Sequence, residues 1–286
     1  MKVGMIGVGE MGVLMAGHMA AKGMEVFAND IVKSRIDDAV ARGAKAALQI
    51  SDIAPICDLF IVMVRTDDQV RMIADQLLLS AKPGSIIAVS GTHHPEMMKA
   101  LGAQAEKQQV GVIDCPVVYG MDGARDGKLL SLCGGSEADV EKAKKALICY
   151  SRDVLRVGPL GAGQIAKACN NLLHWVHAVS NFEAILLAKR YGIDGQRMRE
   201  VLLKAPAYNN TLERWDETKF TWQEKDMDVV LDLAQTGGVI MPLSGQVDQL
   251  IKLFHARDVH DLLYGPDASY LGRKIVPLKP SEGGLG

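Results

Sequence analysis

The chain has 286 residues, 48% of them hydrophobic and 23% charged, a length that accommodates one large domain or two of roughly 100–200 residues each. Lysine and arginine total 32 against 34 acidic residues, a formal charge of -2, so no global field draws in nucleic acid or anionic lipid and both are disfavoured as partners. Twenty-nine glycines with only 5% aromatics suit tight turns and close helix-to-strand packing better than an aromatic β-sandwich, and point to α/β or mostly helical architecture.

The first half alternates short apolar runs with helical segments, in the order of consecutive βαβ units. Lys2–Ile6 reads as a strand, Gly12–Lys22 as a helix stopped by Gly23, and Glu25–Ala28 as a second strand. β-Branched runs at Leu59–Val64, Ser85–Val89 and Gly111–Ile113, bounded by Gly, Pro, Asp or Ser, read as further strands, with helices at Lys33–Arg42, Gln69–Leu79 and Pro95–Gln108 between them. Strands at Leu129–Leu132 and Asp153–Val157 flank a helix at Glu137–Leu147.

After Gly158-Pro159 the pattern changes. From Gly163 to Tyr191 the chain is apolar almost all round (Ile165, Ala168, Leu172, Trp175, Val179 and Phe182 among others), the pattern of a buried helix roughly 40 Å long. Helical patterns follow at Gly195–Leu203, Met227–Gln235 and Ser244–Ala256, and strands disappear. The reading is therefore a strand-bearing domain over residues 1–160 and an all-helical domain over 161–286, with Pro280–Gly286 as a flexible end. The five cysteines (Cys57, Cys115, Cys133, Cys149, Cys169) form no C-x-x-C pair and lack a histidine at metal-ligand spacing, so they read as reduced thiols and no metal is assigned. The N-terminal stretch lacks a proper h-region and cleavage site, and no apolar run approaches the ~20 residues that span a bilayer. The expectation is a soluble, cytoplasmic protein.

Gly7-Val8-Gly9-Glu10-Met11-Gly12 fits G-x-G-x-x-G, and it follows a predicted strand and opens a predicted helix. Gly7 permits the tight turn, Gly9 lets backbone approach a pyrophosphate, Gly12 allows close helix packing, and the helix N-terminus supplies N–H donors to phosphates. Asp30 ends the next strand, where a carboxylate accepts from ribose hydroxyls and repels a 2′-phosphate, so NAD is favoured over NADP. Lys33 and Arg35 lie close enough to weaken that preference; as a solvated helix face they have no part in it. A glycine turn without a ligand is the bland alternative.

The second constellation is Gly161-Ala162-Gly163-Gln164-Ile165-Ala166-Lys167 with Asn170 and Asn171. On a helix Lys167, Asn171, His174, Ala178 and Asn181 share one stripe of an otherwise apolar rod. Polar groups there need partners or a cleft. A desolvated lysine loses proton affinity and becomes able to exchange a proton near neutral pH, with Asn171 one turn on to hold the ammonium or a substrate hydroxyl. A lysine snorkelling from the helix start to an acidic partner fits the spacing equally well.

Together these motifs resemble the β-hydroxyacid dehydrogenase family, which includes 3-hydroxyisobutyrate dehydrogenases, tartronate semialdehyde reductases and, more distantly, 6-phosphogluconate dehydrogenases. Gly7 to Ala16, Asp114-Cys115-Pro116-Val117 with Gly134-Gly135, the Gly161-to-Asn171 block and Lys225-Asp226 occur in the family's order. The resemblance implies a Rossmann-like N-terminal domain, a helical C-terminal domain, a nicotinamide cofactor and an active-site cleft between them. It also implies that Lys167 is the catalytic lysine and Asn171 the asparagine that helps bind substrate. Thr92 matches a threonine near the nicotinamide, although the serine that usually precedes it is Gly91 here. Lys225 matches a lysine that closes over cofactor and substrate, and Met63 and Val64 match the strand end beside the adenosine.

One departure stands out. Where the family continues after Asp-x-Pro-Val with Ser-Gly-Gly, a loop that holds the substrate carboxylate, this chain has Val118-Tyr119-Gly120. The lost hydroxyl makes the pocket less suited to a small carboxylate; Tyr119 either donates through its phenol, caps the pocket or packs in the core. Arg125 and Lys128 are nearby cations, either anion-binding or merely solvated. His174 lines the pocket or the core, His177 is a satisfied helix residue, and His93-His94 lack a companion ligand.

The expected activity is hydride transfer between NAD and a small hydroxy acid, or related alcohol, and its aldehyde or ketone, with Lys167 as general acid/base. An imine reductase shares the layout but usually replaces the lysine, and a non-catalytic dinucleotide-binding module would not need Lys167 and Asn171. The long apolar helix and the family resemblance favour a homodimer or homotetramer.

Overall fold

The computed structural model describes residues 1–285; Gly286, the last residue of the tail, lies outside them. The chain divides into two compact units, residues 1–167 and the residues from Ala168 onward.

The first unit runs β1 (Lys2–Ile6), α1 (Glu10–Ala21), β2 (Glu25–Asn29), α2 (Lys33–Val40), β3 (Lys45–Ala46), α3 (Ile50–Ile53), β4 (Leu59–Val62), α4 (Asp67–Leu78), β5 (Ile86–Val89), α5 (Pro95–Glu106) and β6 (Gly111–Asp114). It continues with β7 (Val117–Val118), α6 (Gly120–Asp126), β8 (Leu129–Gly134), α7 (Glu137–Leu147) and β9 (Ser151–Gly158). The sheet order is β3-β2-β1-β4-β5-β6-β8-β7, with β9 beside β8. Strands β3 to β6 pair in parallel, whereas β8 runs antiparallel to β6 and β7. This is the Rossmann-like α/β order, with the strand direction of travel reversing between β1 and β4, the position at which such sheets leave a crevice beyond their carboxyl ends.

Period-two burial builds the three layers. On β4, Leu59 and Ile61 join the core beneath α1, α2 and α7, while Phe60 and Val62 join the core beneath α3, α4 and α5; Ile86 and Ala88 against Ile87 and Val89 repeat the division on β5. Both faces are covered, which is why these strands read as continuous apolar runs. The elements of the first unit missing from the sequence reading, β3, α3, β7 and α6, have two to seven residues, too short for a periodic signal.

Helix α8 (Ala162–Arg190) starts in the first unit and continues into the second. The second unit adds α9 (Gly195–Leu202), α10 (Asn210–Glu213), α11 (Gln223–Thr236), α12 (Pro242–Ile251) and α13 (Ala256–Tyr264). Its core gathers Trp175, Phe182, Trp215, Met227 and Phe254, with Phe182 edge-on to Phe254 at 4.7 Å.

Four expectations need correction here. The run read as one helix to Ala256 ends at Ile251, because Phe254 turns into the core and a new helix, α13, starts at Ala256. Strands do not vanish: β10 (Ala268–Tyr270) and β11 (Arg273–Ile275) form an antiparallel hairpin whose Tyr270 packs on Phe182 and donates to Glu183 at 2.7 Å. The tail does not read as a free end either, since Leu278 N–H donates to Arg190 O and Leu285 N–H to Tyr191 O. Finally α8 is not buried all round: Ile165, Leu173 and Leu187 are 49%, 55% and 62% exposed.

Candidate active site

The glycine loop is built as its spacing requires. Gly7 has φ +87°, and a β-carbon there would sit 2.4 Å from Met63 O, the carbonyl just beyond β4. At Gly12 a β-carbon would meet Gly7 O at 2.1 Å, so α1 can press on the turn only without a side chain. Gly9 is the N-cap of α1 and no side chain caps that helix, whereas Thr66, Ser136 and Asp194 cap α4, α7 and α9. The first-turn N–H groups of Glu10, Met11 and Gly12 are thereby left to an anion. This cradle fits the diphosphate of a dinucleotide. Substituting Gly7→Ala is expected to weaken NADH binding at least about tenfold and to destabilise the fold by about 1–3 kcal/mol, since the αL backbone is strained for alanine and the β-carbon strikes a carbonyl; titration by NADH fluorescence and a thermal melt check both.

Asp30, one residue past β2, accepts from Val8 N–H and Val32 N–H, both at 2.9 Å. Its carboxylate pins the glycine loop to the turn that opens α2 and keeps lone pairs for a ribose. Met63 and Val64 follow β4 and are half-buried, with Met63 N–H donating to Ile6 O. Thr92, half-buried, sits between Gly91 and His93 in the loop between β5 and α5.

That loop is held by a network the sequence did not reveal. His93 is completely buried and its Nδ1 lies 2.8 Å from Asp67 Oδ1, at the first residue of α4. Burial raises the Asp67 carboxyl, but the hydrogen bond and charge of His93 outweigh it and hold the group below its ordinary value. An ionised Asp67 accepts from a proton on Nδ1, while Nε2 of the same ring has no hydrogen-bond partner. The ring packs on Gly91, where a β-carbon would meet Nε2 at 2.5 Å and Val64 O at 2.6 Å; the His93 ring and the chain beyond β4 together account for glycine at 91. Gln164 completes the network, accepting from His93 N–H and donating to Gly91 O, both at 2.9 Å.

Asp114, at the end of β6 and fully buried, anchors α8. Its Oδ1 accepts from Gly161 N–H and its Oδ2 from Gln164 N–H, each at 2.7 Å. Burial pushes its carboxyl above the usual range although these backbone donors pull it down. Side chains at Gly134 or Gly163 would strike this carboxylate at 2.4 and 2.7 Å. Three separated motifs, Asp-x-Pro-Val, Gly-Gly and Gly-x-Gly-Gln, are therefore one contact.

Lys167 is half-buried in the second turn of α8, with buried Asn171 one turn further and exposed Asn170 beside it. Asn170 donates to Asn171 at 3.3 Å. The rest of the stripe serves the second unit's interior: His174 Nδ1 pairs with Thr211 Oγ1 at 2.9 Å, and Asn181 and Asn209 exchange amide hydrogen bonds at 3.0 Å. Lys225 is half-buried in the first turn of α11, next to Asp226, which accepts from Trp175 Nε1.

Val118 is buried in β7, paired with Leu130. Tyr119 takes φ +81°, a left-handed conformation natural to the glycine that the family carries and strained for tyrosine. Its ring faces the Arg152 guanidinium at 5.2 Å. Exposed Gly120, also left-handed, opens α6. Arg125 pairs with Asp122 at 2.6 Å, and Lys128 lies 3.9 Å from Asp126. All five cysteines are unpaired thiols; burial pushes Cys57 and Cys133 up to about 12, and Cys169 alone is exposed. Among the described residues no cluster of three metal-ligating side chains occurs, and no helix is long and apolar enough to cross a membrane.

Comparison with known proteins agrees with this architecture. Residues 2–158 match the NAD-binding domain of 6-phosphogluconate dehydrogenase, and residues 161–262 the NAD-binding domain of NADP-dependent 3-hydroxyisobutyrate dehydrogenase. A probable mitochondrial 3-hydroxyisobutyrate dehydrogenase of Dictyostelium discoideum is 28% identical over 89% of this chain and 86% of its own length. An NAD-dependent L-serine dehydrogenase of Pseudomonas aeruginosa is 31% identical over 74% and 72%. The structure of Mycobacterium tuberculosis 3-hydroxyisobutyrate dehydrogenase with L-serine superposes with a TM-score of 0.82 at 24% identity, covering 89% of this chain and 94% of that one, a likeness of fold. With the glycine cradle in place and both halves matched in register, the chain belongs to the β-hydroxyacid dehydrogenase family and is an NAD(P)-dependent oxidoreductase acting on a CH–OH group.

Proposed function

We propose that this chain interconverts a small hydroxy acid, or a related alcohol, and its semialdehyde or ketone, with Lys167 moving the hydroxyl proton and Asn171 orienting the substrate. The observation that carries this is the placement of Lys167 and Asn171 one turn apart on a helix whose start is bolted to the sheet end by Asp114. When bound, the nicotinamide supplies the hydride acceptor or donor. Lys167 acts as base in oxidation and as acid in reduction at the substrate oxygen. Asn171 offers that oxygen an amide donor, with Asn170 on the same helix lining the approach. Thr92 and Lys225 attend the cofactor, and Asp30 favours NAD over NADP through its carboxylate.

Substrate choice rests on Val118, Tyr119 and Gly120. A buried valine replaces the family's serine hydroxyl, and a tyrosine held to Arg152 replaces its glycine, so the loop offers a carboxylate fewer donors and more apolar surface. On this reading residues 1–160 form the dinucleotide-binding domain and 161–286 the substrate and oligomerisation domain. The proposal includes a cytoplasmic homodimer or homotetramer, and its assembly is supported by Ile165, Leu173 and Leu187, which lie exposed within one sector of α8.

The test is a panel of hydroxy acids and semialdehydes assayed with NAD and NADP, for the native chain and for the Val118→Ser/Tyr119→Gly double substitution. Turnover of at least one member, with kcat/KM for compact hydroxy acids rising about tenfold or more in the double variant, is expected. Absence of turnover across the panel by a protein that binds NADH would refute the catalytic assignment.

A further inference from the structure

Arg35, in the first turn of α2, is a cation of the first unit that the site described above does not use. Its side chain folds back over the glycine loop: a β-carbon built on Gly9 would lie 2.6 Å from Arg35 Nη1. The guanidinium thus rests on the N-cap of α1, beside first-turn N–H groups that no side chain caps. Lys33, two residues earlier, is occupied by Asp37 at 2.9 Å. Arg35 has no such carboxylate and no side-chain hydrogen bond among the described residues. Neither acid beside the glycine loop takes it: Asp30 receives Val8 N–H and Val32 N–H, and Glu10 is exposed to solvent.

A cation on the positive end of a helix dipole is an unfavourable neighbour. Water screens the half-buried group, but an anion lying between the guanidinium and the helix N-terminus satisfies both at once, and the planar fork of arginine suits phosphate oxygens. The loop already places one diphosphate there. We propose that Arg35 clamps the cofactor diphosphate from above Gly9, opposite the backbone donors of α1. This rests on the dinucleotide assignment and adds to it a residue that lies 23 positions beyond the glycine motif's last member. Because the diphosphate is common to both dinucleotides, Arg35 raises affinity for NAD and NADP alike and leaves the choice between them to Asp30.

The experiment measures binding, by NADH and NADPH fluorescence and by calorimetry with ADP and adenosine, for the native protein and Arg35→Ala, Arg35→Lys and Lys33→Ala. Arg35→Ala is expected to weaken NADH and ADP by the same factor, about tenfold or more, as for loss of a charge-assisted hydrogen bond, with a shallower salt dependence. Adenosine affinity stays unchanged, Arg35→Lys falls between the two because it keeps the charge and loses the fork, and Lys33→Ala behaves as native. Unchanged NADH and ADP affinities in Arg35→Ala would overturn the proposal, as would a loss confined to NADPH, which would assign the residue to the 2′-phosphate instead. A native protein that binds neither NADH nor NADPH is a different failure, that of the dinucleotide site itself.

Discussion

Lys167→Met is expected to lower kcat about 10²–10⁴-fold, the range for loss of a positioned acid/base, while NADH affinity and the melting temperature stay near native. Methionine keeps an unbranched aliphatic stem in place of the half-buried lysine and removes the proton-carrying head. Its helix propensity is close to that of lysine, so α8 loses nothing by the change. Steady-state kinetics should show the loss in kcat and kcat/KM together, because the interaction matters when the proton moves rather than when substrate docks. A folded Lys167→Met protein with native turnover would remove the residue from the mechanism.

Asp114→Ala is expected to be the most damaging change outside the chemistry, costing about 3 kcal/mol and lowering the melting temperature by roughly 5–12 °C. The carboxylate is fully buried and accepts Gly161 N–H and Gln164 N–H at the first turn of α8. Alanine leaves those donors buried without an acceptor and leaves a void beside Gly134 and Gly163, where the carboxylate packs. Asp114→Asn should recover only part, since its amide nitrogen would face a backbone donor. Because Lys167 rides on the second turn of the helix that Asp114 anchors, kcat should fall as well. Thermal melts that match the native protein would contradict this account of the Asp-x-Pro-Val and Gly-x-Gly motifs.

The long regular elements of the first unit were legible because burial on both faces of a parallel sheet writes unbroken apolar runs, and helices between them carry period and caps. Glu137–Leu147 is recovered end to end, and β1 likewise. The glycine motif was legible because each glycine answers to a steric limit, seen at Gly7 and Gly12. Lys167 and Asn171 were legible as a stripe, since four-residue spacing survives on any helix. What lay hidden was contact between distant segments. Nothing local to His93 announces that Asp67 and Gln164 will meet it, with separations of 26 and 71 residues, and Arg35 reads as a solvated helix residue until α2 is laid beside α1.

By itself, then, the sequence determined the layer architecture, the dinucleotide loop and the long helix that carries Lys167 and Asn171, because periodicity, glycine sterics and helix spacing are properties of short segments. The tertiary structure alone decided why the separated motifs belong together. It gave Asp114 its place at the start of α8, returned His174 and Asn181 to Thr211 and Asn209, put Tyr119 in a left-handed turn against Arg152, and closed the C-terminal hairpin over Phe182. The physical reason is common to all of these. A buried polar group must find its partner wherever the fold brings one within hydrogen-bond reach, and that distance through space is not encoded in separation along the chain.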